Sequence, residues 1–280
     1  MARPMESCID PTEPTGDRIR FASFLAPNMF DVYRFVADYV GERLGQQTDL
    51  TVGRSFDEFA DGEADIGFLC GLPYVELARE PHPLVELLAA PVLTGERYGG
   101  RPIYFSDVIV RAESPYQSFS ELRGRVWAYN DPDSHSGYNV TRHRLVSMGE
   151  TNGFFGKVLE AGSHQRSIQM VCSGEIDAAA IDSQVLSVEL RDRPALREQI
   201  KVIDTLGPAG IQPVVAASRL PEGLKSAVRE ALLAMGDDPA ARAILDHGFV
   251  ERFVAVTDED YEDVREMLVA AEDADFMTLR

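Results

Sequence analysis

Short runs of consecutive apolar residues alternate along this chain with longer stretches in which apolar residues recur every three or four positions. The run IRFASF (19–24) is followed by Met29, Val32, Tyr33, Val36, Tyr39, Val40 and Leu44, a period of about 3.6 residues that predicts a strand and then an amphipathic helix. DLTVG (49–53), ADIGFL (64–69) and VELLAAPVL (85–93) read as strands, separated by helical patterns over SFDEFADG and PYVELARE (73–80). The logic then repeats. PIYFSDVIVR (102–111), VWAYND (126–131), KVLEAG (157–162), IDAAAID (176–182), IKVIDTLG (200–207) and PVVAAS (213–218) are strand patterns. Helices are expected from about Ser136 to Met148, over 164–174, from Pro221 to Met235, where Pro suits the first helical position, and from Asp258 to Asp273. This β-α-β-α-β order implies an α/β fold with mostly parallel sheets covered by helices.

One internal echo points to two similar halves. Asp61-Gly62-Glu63-Ala64-Asp65-Ile66-Gly67 resembles Ser173-Gly174-Glu175-Ile176-Asp177-Ala178-Ala179. Each is a helix end, a Gly able to take the left-handed cap, and an Asp expected at the surface where an apolar strand begins.

With 280 residues, 45% of them hydrophobic and 26% charged, the chain is long enough to bury a sizeable core without disulfides or a structural metal. Its 27 basic and 46 acidic residues give a net charge of −19, which repels nucleic-acid phosphates and anionic membranes but leaves room for a small anion at a local site. No apolar run approaches the ~18 residues of a membrane span. The three cysteines Cys8, Cys70 and Cys172 are widely spaced, with no zinc pattern, and Cys70 and Cys172 read as buried thiols. Residues 1–17 form a polar, Pro-rich leader expected to be disordered, with no apolar signal segment.

The densest polar cluster is Asn130-Asp131-Pro132-Asp133-Ser134-His135-Ser136-Gly137-Tyr138, leaving a strand and entering a helix. Ser134, His135 and Ser136 fall at the helix N-terminus, where unpaired amides and the positive dipole end suit an oxyanion. Simple capping is the competing reading, since a Ser or Asp there satisfies the helix's own amides. Gly162-Ser163-His164 repeats the design one strand later. Asp182 closes a strand at the end where ligands gather in open α/β sheets, and equally suits a cap for the helix from Ser183. Cys70-Gly71-Leu72-Pro73-Tyr74 and the turn Phe24 to Asn28 are two more strand-to-helix exits; Tyr74 is a cleft wall or a core tyrosine. Tyr104, Ser106 and Asp107 begin the second half. No GxSxG elbow, P-loop, GxGxxG or HExxH is present. A Ser134–His164–Asp182 triad can be drawn, but its Ser has no elbow, and His135 and His143 with Asp131 or Asp133 make a thin metal set. Neither catalysis, a cofactor nor a metal is expected.

Together these motifs resemble the phosphate/phosphite/phosphonate-binding periplasmic proteins of ABC importers. The likeness runs from about Ile19 to about Val256 and rests on Gly71-Leu72-Pro73-Tyr74, Tyr104-Phe105-Ser106-Asp107, Asp131 to Tyr138, Gly162-Ser163-His164 with Ser167-Ile168, and Ala178 to Asp182. It implies a type II binding protein with two α/β lobes joined by two crossing segments and closing on a ligand. Lobe one would span 18–103 and 208–280, and lobe two 104–207. It implies that Ser134, His135 and Ser136 bind the oxyanion, with His164 beside them, Asp182 near a ligand amino group, Tyr74 and Tyr104 as aromatic walls, and Asp107 nearby. Relatives often carry Thr where His135 stands, and an imidazole is bulkier and can be charged near pH 6.5. A monomer is implied, partnered by a membrane permease and working in the periplasm. A cytoplasmic sensor or enzyme on the same fold, or a binder of an amine or heterocycle, is the alternative.

Overall fold

The computed structural model describes residues 18–280; the leader 1–17 and Cys8 lie outside the described residues. Two sheets organise the chain. The first takes β1 (Arg18–Ser23), β2 (Gln47–Val52), β3 (Ile66–Phe68), β4 (Val85–Leu93), β10 (Val214–Ala217) and β11 (Val250–Val254), in the order β11-β4-β10-β3-β1-β2. The second takes β5 (Ile103–Arg111), β6 (Val126–Tyr129), β7 (Lys157–Glu160), β8 (Ala178–Asp182) and β9 (Ile200–Gly210), in the order β7-β6-β8-β5-β9. The chain passes from one sheet to the other through 94–102 and returns through 211–213.

Each sheet is mixed where a mostly parallel one was expected. β2, β1 and β3 run parallel, as do β7, β6 and β8, because each is linked to the next by a helical or looped crossover. β10, β4 and β11 in the first sheet, and β5 and β9 in the second, pair antiparallel. β5 and β10 are the strands by which the chain enters a sheet from the other one, so they arrive from the opposite end.

The sequence explains each element's depth. β8 is AAAID, buried at all positions, because it is central and covered on both faces. β2 and β7 are edges and carry polar residues such as Asp49 and Lys157. The helices are α1 (Phe30–Leu44), α2 (Gly71–Ala78), α3 (Val140–Ser147), α4 (His164–Ser173), α5 (Ser183–Asp192), α6 (Leu196–Gln199), α7 (Glu222–Ala234), α8 (Pro239–His247) and α9 (Glu262–Asp273). The pair α8 and β11 was not expected from the sequence, although Asp238 caps α8 through the Ala240 amide and Pro239 opens it.

The echo is structural. Gly62 and Gly174 both take left-handed conformations, with φ of 76° and 75°. Asp65 is buried rather than at the surface, because its carboxylate accepts from the Arg20 amide at 2.9 Å and from the guanidinium groups of Arg20 and Arg219. Asp177 likewise accepts from the Val126 amide at 2.9 Å. Each Asp thus fastens its strand to the neighbouring parallel strand.

Candidate functional site

A cavity of about 500 Å³ opens between the two sheets. Its walls are the segments that follow the carboxyl ends of β1, β2 and β3 on one side and of β6, β7 and β8 on the other. Four helical segments begin there, after Cys70 and after the capping side chains of Ser134, Ser163 and Asp182, so four positive dipole ends converge on the cavity.

The serine turn is built from its first residue. After β6, Asp131 Oδ1 accepts from the Asp133 amide at 2.8 Å and its carbonyl accepts from Ser134 N–H at 3.1 Å, closing a tight turn. Ser134 Oγ then accepts from Gly137 N–H at 3.1 Å, and the chain enters α3 through a π-helical turn over His135–Asn139. Gly137 is required here, because a Cβ would fall 1.8 Å from Asn130 Oδ1. Ser136 Oγ lies 3.3 Å from Ser134 Oγ and 2.9 Å from His164 Nε2. Ser134, Ser136 and His164 therefore form one continuous polar group facing the cavity.

Both histidines of this region are buried, and desolvation lowers each pKa to about 3, so both rings are neutral. They face different ways. His164 lines the cavity, and its buried Nδ1 has no partner among the described residues. The ring of His135 turns from the cavity into the protein, where Nδ1 meets Asn139 Nδ2 at 3.2 Å and the ring lies 6.3 Å from that of Tyr104. What His135 extends toward the cleft floor is its backbone N–H, which donates to Cys70 Sγ at 3.2 Å.

Asp182 lines the cavity and also caps α5, accepting from Gln184 N–H at 2.7 Å and Val185 N–H at 3.1 Å, with Gln212 Nε2 as a third donor. Burial raises its pKa to about 6 against the pull of these donors. Tyr104, Tyr74 and Asp107 lie behind the cavity wall rather than in it. Tyr104 is buried beside Cys70 and Ser136. Tyr74 donates to Asp258 Oδ1 at 2.8 Å and packs on Tyr261 at 4.9 Å. Asp107 accepts from both terminal nitrogens of Arg97, at 2.9 and 3.0 Å, and from Thr205 Oγ1, tying the connecting segment 94–102 to the second sheet.

The arrangement has no catalytic-triad geometry. His164 engages Ser136 through Nε2, and its Nδ1 has no partner among the described residues, so Asp182 does not orient the ring. Among the described residues no three His, Cys, Asp or Glu side chains are grouped as metal ligands.

Sequence reasoning missed the loop Val52-Gly53-Arg54-Ser55-Phe56, and also Gln165 and Gln212, which line the cavity. Its one signal was Gly53: the Phe24 ring lies so close that a Cβ would fall 2.2 Å from it. That contact seats the loop against the first βα turn, with the Phe24 and Phe56 rings 4.8 Å apart.

Two sheets linked twice by the chain, with a cleft at their carboxyl ends, define a two-lobed binding-protein fold. The chain belongs to the family described as "ABC transporter, phosphonate, periplasmic substrate-binding protein", whose model matches residues 21–261. The phosphonates-binding periplasmic protein of Escherichia coli (strain K12) is 23% identical over 178 residues, covering 62% of this chain and 52% of that protein, so the chain spans about half of that relative's length. A binding protein component of an ABC phosphonate transporter from Pseudomonas aeruginosa has the same fold, with a TM-score of 0.80 at 18% identity, over 92% of this chain and 87% of that one. PhnD1 of Prochlorococcus marinus, solved in complex with methylphosphonate, gives 0.79 at 18% identity, over 92% and 98%. Among the described residues no helix is long and apolar enough to cross a membrane.

Proposed function

We propose that this chain is the solute-binding component of an ABC importer and takes a phosphonate or related small oxyanion in the cleft, without chemical turnover. The observation that carries this reading is the continuous Ser134–Ser136–His164 group at converging helix N-termini. Hydroxyls and dipole ends stabilise an oxyanion without a buried lysine or arginine, and hydrogen bonds to a charged acceptor are roughly twice as strong as neutral ones. Asp182 would face an amino group on the ligand. His135, Tyr104, Tyr74 and Asp107 would act from behind, holding the turn and the connecting segments in place.

The segments 18–103 with 208–280, and 104–207, would move as the two lobes, and the ligand would shift them towards closure by its preference for the closed form. Closed, the protein would dock as a monomer on a membrane permease in the periplasm. Isothermal titration with methylphosphonate, aminoethylphosphonate, phosphate and sulfate tests this reading. Binding by the intact chain is expected, with a loss of roughly tenfold or more in Ser136→Ala. Unchanged affinity in that variant would remove the serine turn from the site.

A further inference from the structure

We propose that Arg54, on the loop after β2, is the residue with which the first-sheet side of the cleft closes on the bound anion, making the site select doubly over singly charged oxyanions. This rests on the reading of the serine turn as the oxyanion site. The side chains that face the cavity from the second sheet include the carboxylates of Asp131, Asp133 and Asp182, and His164 contributes no positive charge because its ring is neutral. Among the described residues lining the cavity, Arg54 carries the one cationic side chain. A dianion held by the serine turn thus has helix dipoles close by and one full countercharge within the cleft, on the opposite wall.

The loop is also built for an arm that moves on a base that does not. Its backbone is fixed: Gly53 N–H donates to Ser23 O at 2.9 Å, Arg54 N–H to Glu58 Oε1 at 3.0 Å, and Ser55 caps the turn that follows. The Arg54 side chain is 81% exposed and, among the described residues, is held by Glu58 at 3.5 Å and Glu63 at 3.4 Å. Exposed pairs of this length contribute little to stability, so an anion can draw the guanidinium away at small cost. Arg97, by contrast, is committed to Asp107 through two bonds and does not line the cavity. A guanidinium also presents a planar fork that matches two phosphoryl oxygens at once, which an ammonium does not.

Titration calorimetry at about pH 8, with methylphosphonate as a dianion and methanesulfonate as a monoanion of similar shape, tests the proposal; a phosphomonoester's second proton leaves at about pH 6, and a phosphonate's somewhat higher. The wild type is expected to prefer methylphosphonate. Arg54→Met should lose roughly tenfold in methylphosphonate affinity and little for methanesulfonate, and Arg54→Lys should recover part of the preference. The unligated melting midpoint should stay within about 2 °C, since only weak surface contacts are removed. If Arg54→Met keeps the wild-type preference, the proposal is overturned while the serine-turn reading stands. If the wild type binds neither anion, or Ser136→Ala binds both unchanged, the serine-turn reading fails and the role of Arg54 with it.

Discussion

The two walls of the cleft differ in how firmly they hold the polar groups they present. On the second-sheet side Ser134, Ser136, His164 and Asp182 are buried and tied down: Ser134 caps its turn, Asp182 caps α5, and His164 is bonded to Ser136. On the first-sheet side the loop 52–56 has a fixed backbone and is seated by ring contacts, but the one charged side chain it offers the cavity stands in solvent. The difference separates two tasks. A preorganised wall costs little further ordering when a ligand arrives, whereas a wall with a loose arm can follow the ligand as the cleft closes.

The buried wall should reveal itself most strongly through pH. His135 and His164 have folded pKa values of about 3. Their contribution is therefore fully present above the unfolded value of about 6.5 and is lost as pH falls towards 3. Asp182 behaves in the opposite sense: raised to about 6, it contributes stability below about 4 that is lost as pH rises through 6. Between pH 7.5 and 5 each histidine should cost about 2 kcal/mol and Asp182 should return about 1 kcal/mol, a net loss of about 3 kcal/mol. Urea unfolding at the two pH values measures it. His164→Asn should remove about half of the histidine share. A flat profile would mean that the wall is more hydrated than its burial implies.

Asp182→Asn sharpens the same contrast. Asparagine still caps a helix, and its amide can donate to Gln212 Oε1, which is buried and has no partner among the described residues. Removing a carboxylate ionised against burial should stabilise the unligated protein at neutral pH by up to about 3 kcal/mol. The same change should weaken an aminoalkylphosphonate more than methylphosphonate if the carboxylate faces a ligand amine. A fall in stability would show Asp182 to be a cap whose amide bonds outweigh its burial.

How much of this was legible in the sequence follows from range. The βα units, the two halves and the serine turn depend on local spacing, and a polar run after a strand such as Asp131 to Tyr138 states its own position. Tyr74 and His135 were ambiguous because a side chain's direction at a helix start depends on partners far along the chain, here Asp258 for Tyr74. The sheets' mixed order follows from where the chain crosses between them, which no local pattern records. Arg54 carried no signal at all: it is one exposed arginine in a strand exit, and the packing of Phe24 on Gly53 with the Gly53 to Ser23 backbone bond brings it to the cleft.

That packing supports the smallest effect, and the one most specific to the first-sheet wall. Phe24 and Phe56 line the cavity with their rings 4.8 Å apart, and Phe24 also lies 5.9 Å from Phe59. An apolar or planar substituent on the ligand would rest there, while inorganic phosphate would not reach it. Phe56→Ala should therefore weaken phenylphosphonate by about 1 kcal/mol, roughly fivefold, since an aromatic pair contributes that much beyond area alone. Phosphate affinity should change less than twofold. Phe56 is only half-buried, so the variant should fold, and Phe56→Leu should recover part of the loss by restoring apolar area without a ring face. Equal losses for phenylphosphonate and phosphate would mean that Phe56 acts by seating Arg54 rather than by touching the substituent. In that case Phe56→Ala combined with Arg54→Met should be no weaker than Arg54→Met alone, and the double-mutant cycle decides between the two.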